Sequence, residues 1–184
     1  MLAACAQAAP AVMLYTSEDT TGALLRDVAQ GRLEAAVVFC APERPPAGVA
    51  LDLLRDEPAV VHLAADHPLA GRDAVSLTDL AQETVLVAAS TESSGFTERV
   101  LAAFAAAGVA PATRPDPYPD LGTQAVREGA GIVVYVRSGF PPALPGTVLV
   151  PVEPAVTLPF HLAYRPASRS AAIDAVLEVA RSIR

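Results

Sequence analysis

The chain has 184 residues and is 52% hydrophobic and 18% charged, so it is long and apolar enough to fold around a core. Its formal net charge of −7 argues against a stand-alone DNA-binding protein, because affinity for phosphates comes from clustered cations. All thirteen basic residues are arginine. The absence of lysine excludes Schiff-base and P-loop lysine chemistry.

Strand patterns and helix patterns alternate along the chain. Apolar runs and proline-rich stretches predict strands or extended segments over 12–16, 33–40, 49–65, 84–89, 114–119, 132–136, 147–152 and 159–164. Amphipathic stretches predict helices over about 19–30, 96–107, 120–129 and 170–183. This alternation predicts an α/β fold with mainly parallel sheets covered on both faces.

Turn chemistry predicts several element boundaries. The side-chain oxygens of residues 19–21 can cap the first helix, which ends at Gly31. The charged residues 55–58 are expected to interrupt the extended segment over 49–65. Ser168 or Ser170 can cap the last helix.

The segment after residue 65 has its own pattern. Pro68 ends the preceding strand, because proline cannot donate to a ladder. Ser76 is then predicted to cap a short helix that carries Leu77 and Leu80 on one face.

Catalytic, metal and cofactor motifs were not found. The sequence holds no GxSxG or HExxH motif, and Gly129-Ala130-Gly131 precedes a strand where a dinucleotide fingerprint needs a helix. His62, His67 and His161 are isolated and are expected to be structural. The sequence therefore predicts a protein that is not an enzyme and that has no metal or cofactor.

The cysteines and the length of the apolar runs indicate the cellular compartment of the protein. Cys5 and Cys40 form no CxxC motif, so neither a disulfide scaffold nor a zinc site is indicated. Residues 2–5 match a lipoprotein cleavage box, but a signal peptide needs a basic region and an apolar stretch before it. No apolar run approaches the ~20 residues that span a membrane. We expect a cytoplasmic protein.

Two turns are suited to hold a ligand. In doubly wound folds ligands bind at the carboxyl ends of strands, near helix N-termini with free N–H groups. Residues 17–21 and 90–96 are such turns, and the second contains Ser90, Thr91 and Ser93. Several hydroxyls that converge after a buried strand favour a binding role.

Four segments in order resemble the effector-binding domain of LysR-type transcriptional regulators. Asp66-His67-Pro68-Leu69-Ala70 followed by Val75-Ser76-Leu77-Thr78-Asp79-Leu80 resembles the "HPLA … vsLxdL" signature. The other three segments are 24–38, similar to "eLlxxLxxGxlDlai", 125–134, similar to "LVaaGlGiav", and 159–165, similar to "plxlayR". Glu34 stands where the family usually has Asp, and Val136 where a Pro commonly follows.

The resemblance implies two Rossmann-like lobes joined by two crossover strands, a type 2 periplasmic-binding-protein-like fold. Lobe I would comprise residues 1–56 and 158–184 and would lack its first strand, and lobe II would comprise residues 57–157. The family's winged helix-turn-helix is not found in this sequence. DNA would be bound only through such a domain, so this chain alone is not expected to bind duplex DNA specifically.

The resemblance also implies a function and a site. A small-molecule effector would bind between the lobes and control transcription, and the domain would form a homodimer. The alternative is an extracytoplasmic solute-binding protein of a transporter. The expected effector-binding residues are Thr21, Phe39, Ser90, Thr91, Ser93 and Phe96.

Two of these residues also have structural alternatives. Thr21 and Phe96 align with effector contacts of muconate-responsive members, but Thr21 could instead be a simple helix cap and Phe96 a core residue. Phe39 stands where that subgroup has an arginine, so a dicarboxylate effector is not implied. We expect a small, partly apolar ligand with one anionic or carbonyl group.

Overall fold

A computed structural model describes residues 15–87, 94–116, 123–139 and 145–182. Its helices are α1 (Thr21–Ala29), α2 (Ser94–Ala106), α3 (Thr123–Arg127) and α4 (Ala171–Ser182). Its strands are β1 (Ala35–Phe39), β2 (Ala50–Ala64), β3 (Thr84–Val87), β4 (Ala112–Pro115), β5 (Val133–Val136), β6 (Thr147–Pro151) and β7 (Thr157–Tyr164). The predicted strand over 12–16 lies mostly outside the described residues, and Tyr15 and Thr16 are in neither helix nor strand.

The chain separates into two compact units. Unit 1 comprises Met1–Asp56 and Pro159–Arg184, and unit 2 comprises Glu57–Leu158. Strands β2 and β7 each cross the boundary between these residue ranges. The covalent links between the units are therefore both made of strand residues.

Unit 1 has a sheet with a helix on each face. Strand β1 pairs with β7 in antiparallel register from Ala35↔Tyr164 to Phe39↔Phe160, and β7 neighbours β2. One face packs on α1 and the other on α4. The buried residues on the first side are Leu25, Val28, Ala36, Val38, Val49 and Ala163, and on the second side Leu162, Tyr164, Ile173 and Leu177. The Ser170 hydroxyl, and not Ser168, caps α4 by accepting the Ile173 amide at 3.4 Å.

Unit 2 is built on the second half of β2. Residues 59–62 of β2 pair with β5 and residues 60–64 pair with β6, both antiparallel. Strand β3 pairs with β4 in parallel, and a parallel bridge joins Val85 to Ile132 just before β5. The largest fully buried side chain is that of Phe104 on α2.

The expectation of mainly parallel sheets is wrong for the described strands. Strand β1 with β7, and β2 with both β5 and β6, are antiparallel, whereas β3 and β4 are parallel. Long apolar runs show that both faces of a strand are covered, which is usual in parallel sheets. In unit 1 the helices cover an antiparallel pair in the same way, so the apolar runs did not determine strand direction.

The predicted interruption of the segment over 49–65 is also wrong. Strand β2 runs without a break through Arg55–Pro58. Pro58 is exposed, and the pairing of β2 with β5 begins only at Ala59. Because the missing N–H of Pro58 falls outside the registers with β5 and β6, the proline removes no hydrogen bond from those ladders.

The segment from Ser76 to Leu80 forms turns where a short helix was predicted. Its amides bond to carbonyls three residues earlier, as in Asp79 to Ser76 and Leu80 to Leu77. The Ser76 hydroxyl accepts the Asp79 amide at 3.1 Å, and the Asp79 carboxylate accepts the Ser76 amide at 2.8 Å. This reciprocal pair is a capping box, and it holds Leu77 and Leu80 in the core.

The glycines before β5 have a structural role. Gly129 and Gly131 have φ angles of +72° and +156°, which few other residues adopt. A Cβ on Gly131 would lie 2.4 Å from the Thr84 carbonyl oxygen. Gly131 is therefore required where the backbone passes close to β3, as predicted for a turn from helix to strand.

Gly131→Ala should lower the free energy of unfolding by about 2 kcal/mol or more, through backbone strain and the close contact with Thr84. Gly71→Ala is the control, because a Cβ there meets no atom within 4 Å. Its effect should stay within about 0.5 kcal/mol. Urea unfolding measures both variants, and equal stability of the two would contradict this account of Gly131.

Asp79 should make stability depend on acid pH. Hydrogen bonds from the Ser76 amide and hydroxyl hold the pKa of the Asp79 carboxyl below its ordinary value. A carboxyl whose pKa is lower in the folded state stabilises the fold above its unfolded pKa, and this stabilisation is lost as the pH falls through the folded pKa. Asp79→Asn should therefore flatten the loss of stability between about pH 5 and pH 2.

The measurement is urea unfolding across this pH series. Asp73→Asn removes another exposed carboxylate from the same loop without touching the Ser76 hydrogen bonds, so it should keep the slope of the parent protein. Parallel pH curves for Asp79→Asn and the parent would show that the capping box does not carry this dependence.

Candidate functional site

The structure brings Thr21 and Phe39 together in unit 1. Thr20 is the cap of α1, since its hydroxyl accepts the Ala23 amide at 3.3 Å. Thr21 is the first helical residue, and its hydroxyl donates to the Phe39 carbonyl at 3.1 Å. The simple-cap alternative for Thr21 is therefore wrong. The Thr21 side chain ties the start of α1 to the end of β1.

Phe39 is one ring of an aromatic pair. It lies opposite Phe160 in the register of β1 and β7, and the ring centroids are 4.8 Å apart with planes tilted by 41°. The Arg55 guanidinium carbon lies 5.1 Å from the centroid of the Phe160 ring. All three side chains are half-buried. We call Thr21, Phe39, Arg55 and Phe160 the unit 1 cluster.

The unit 1 cluster combines an apolar surface with a positive charge. Arginine over a ring face is attracted by the ring's negative quadrupole, and the contact orients the guanidinium. Sequence reasoning placed no arginine at the site and missed Arg55 and Phe160. Their only sequence signal was the position of Arg55 in a predicted strand and of Phe160 in the "plxlayR" segment, and neither reveals strand order.

The chain turns sharply after Phe39. Cys40 has a φ of +47°, a left-handed conformation that is uncommon outside glycine. Its amide donates to the Pro159 carbonyl at 2.9 Å, so this turn is held by β7. Strained residues cluster at functional positions, and this one fixes the backbone next to Phe39.

Phe96 lies in unit 2, in the first turn of α2. Its ring meets the Tyr135 ring edge-to-face, with centroids 5.0 Å apart and planes at 81°. Farther along the same helix Val100 and Phe104 are buried in the core, whereas Phe96 and Tyr135 are only half-buried. Phe96 is therefore at the border of the core. Sequence reasoning missed its partner Tyr135.

Ser90, Thr91 and Ser93 lie outside the described residues. In the sequence they lie between β3 and α2. Their role as effector contacts stays a prediction.

His67 takes part in the local structure of its turn. The His67 Nδ1 accepts the Leu69 amide at 3.1 Å, which orders the turn as expected, and its Nε2 lies 3.3 Å from a Glu83 carboxylate oxygen. Within residues 15–87, 94–116, 123–139 and 145–182, no group of three or more His, Cys, Asp or Glu residues could hold a metal ion. None of the helices in these ranges is long and apolar enough to cross a membrane.

The chain is similar to known proteins over nearly its whole length. The family model for the LysR substrate binding domain matches residues 1–183. A curated relative from Mycobacterium avium, described as a probable hydrogen peroxide-inducible genes activator, is 37% identical over 87 residues. That match covers 47% of this chain and 27% of the relative.

Solved structures agree with the family match. The BenM effector binding domain with its effector benzoate has a TM-score of 0.84 and 25% identity, covering 99% of this chain and 83% of that one. The reduced form of OxyR has a TM-score of 0.80 and 24% identity, with 99% and 86% covered, and it supports the fold alone.

These matches confirm the predicted fold, because the mixed α/β structure is that of LysR effector-binding domains, which have the type 2 periplasmic-binding-protein-like fold. They also favour the effector-sensing domain of a regulator over the transporter alternative. The chain belongs to the LysR substrate-binding domain family, the effector-sensing domains of LysR-type transcriptional regulators.

Proposed function

We propose that this chain binds a small-molecule effector and converts binding into control of transcription, and that it catalyses no reaction. The family match over residues 1–183 carries this proposal. The regulators that share the domain are not enzymes. A regulator of chromosomal genes works in the cytoplasm, which is the location that we propose.

The effector would act by shifting a population of conformations. A ligand that binds one arrangement of the two lobes more tightly favours that arrangement, by no more than the difference in affinity. The lobes that we propose are residues 1–56 with 158–184, and residues 57–157. The division of the chain into two compact units supports this choice. DNA would be bound through a winged helix-turn-helix domain acting with this one.

We propose that the effector contacts Thr21, Phe39, Ser90, Thr91, Ser93 and Phe96. Hydroxyls and helix N-termini would hold the polar end of the ligand, and the phenylalanine rings its apolar end. The unit 1 cluster supports this assignment, since Thr21 and Phe39 are in contact and both are half-buried. Arg55 beside the same rings adds a cation that suits one anionic group.

A metabolite screen by thermal shift tests the binding function. A ligand at ~100 times its Kd stabilises the folded state by about 2.7 kcal/mol, a readily measured shift in melting temperature. Hits should bind about 2- to 10-fold more weakly to Thr21→Ala and Ser93→Ala, since each variant removes one hydrogen bond.

Thr21→Ser keeps the hydroxyl and should retain the affinity. Thr113→Ala changes an exposed residue of β4 and should leave binding unchanged. If true hits bind the alanine variants as tightly as the parent protein, the proposed contacts are wrong although the family assignment stands.

We propose that the domain forms a homodimer, as expected for a family whose members act as oligomers. Sedimentation equilibrium at tens of micromolar should give twice the chain's mass, because specific interfaces persist in this range. A single monomeric species across that range would contradict the proposal.

A further inference from the structure

Three strands of unit 2 end at one edge. Strands β3 and β4 are parallel in the register from Thr84↔Ala112 to Val87↔Pro115. The parallel bridge between Val85 and Ile132 sets the chain entering β5 in the same direction. The carboxyl ends of β3, β4 and β5 therefore point the same way, and in open α/β sheets this is the edge where ligands bind.

Phe96 and Tyr135 both lie toward this edge. Tyr135 is the last residue but one of β5, and Phe96 is the third residue of α2, the helix that follows β3. Their edge-to-face contact joins a strand end to a helix start. Tyr135 packs against a core cluster of unit 2, yet both rings are only half-buried, so part of each ring remains accessible to a ligand.

Gly139 fixes the position of the Tyr135 ring. It ends the short 3-10 turn after β5, and a Cβ built on it would lie 2.0 Å from a ring carbon of Tyr135. The backbone of Gly139 thus packs against the ring edge where any other residue would displace it. The tyrosine ring is therefore held between a backbone segment on one side and Phe96 on another, and it is positioned before any ligand arrives.

We propose that Phe96 and Tyr135 form an aromatic wall in unit 2 that selects an effector with a planar aromatic ring. This inference rests on the proposed effector-binding function and names the chemical class of the ligand. A third ring can continue the edge-to-face or offset arrangement that these two rings already adopt. A saturated ring of similar size and charge gains the same burial of apolar area but lacks the ring quadrupole, so it binds more weakly.

The experiment compares acids that differ only in the ring. Benzoate is paired with cyclohexanecarboxylate, and phenylacetate with cyclohexylacetate. Binding is followed by thermal shift and by tyrosine fluorescence, which is not masked because the chain has no tryptophan. At millimolar concentrations at least one aromatic acid should bind about 2- to 10-fold more tightly than its saturated partner.

Variants test whether Phe96 and Tyr135 cause the preference for the aromatic acid over its saturated partner. Tyr135→Leu and Phe96→Leu keep apolar volume but remove a ring, and they should reduce the ratio of affinities to about one. Tyr135→Phe keeps the ring and should keep the ratio. Melting temperatures without ligand establish that the variants fold. If Tyr135→Leu does not fold, the ratio of affinities measured with Phe96→Leu, a variant in the first turn of α2, tests the proposal by itself.

Several results would overturn the wall. These are equal binding of both members of every pair, no binding of any aromatic acid, and a preference that survives in both leucine variants. Failure of the aromatic wall can be distinguished from failure of the proposed effector-binding function. A non-aromatic effector whose affinity depends on Thr21 but not on Tyr135 would leave the effector-binding function standing and refute the wall alone. A metabolite screen with no ligand of any class would refute both.

Discussion

The pairing of β2 with its neighbours is the constraint on which both compact units depend, since β2 lies beside β7 and also pairs with β5 and β6. This strand reaches from Ala50 in unit 1 to Ala64 in unit 2, where it carries β5 on one edge and β6 on the other. Unpaired backbone groups inside a sheet cost more than most side-chain contacts return, so the register of β2 is strongly fixed. Pro58, which has no N–H, is tolerated because it stands outside those two registers.

Each unit keeps a pair of aromatic rings outside its main core, and each pair is held by backbone. In unit 1 the Phe39 carbonyl accepts the Thr21 hydroxyl, and the left-handed Cys40 follows directly. In unit 2 the Gly139 backbone confines the Tyr135 ring. Rings fixed in this way lose little further conformational entropy when they contact a ligand. A small contact surface can then bind a ligand with higher affinity, because less of the interaction energy is lost to ordering the side chains.

The sequence predicted the alternation of elements and the family, because apolar periodicity and cap residues are local and four motif segments occur in order. It did not predict strand direction or the continuity of β2, since both depend on which strands become neighbours. The same limit applies to the site. Thr21 and Phe39 were predicted as effector contacts from the sequence, whereas Arg55 and Phe160 lie beside Phe39 only because of the order of β2, β7 and β1. Tyr135 had no local signal that distinguished it from other strand residues.

The division of unit 1 into two separate stretches of sequence has a consequence for folding during synthesis. Arg165 donates to the Val28 carbonyl, a contact between residues 137 positions apart, and β1 pairs with β7. Unit 2 is continuous and can form while the ribosome is still adding β7. Until β7 and α4 emerge, β1 lacks the strand with which it pairs, and Ala35 and Val37 lack the apolar residues of β7 and α4 against which they pack. The nascent chain therefore exposes an unpaired strand edge and apolar side chains while about a hundred further residues are translated. At 5–20 residues per second this takes roughly 5–20 seconds. Protection of that surface by chaperones, rather than the final stability of the fold, would then govern the yield of native protein.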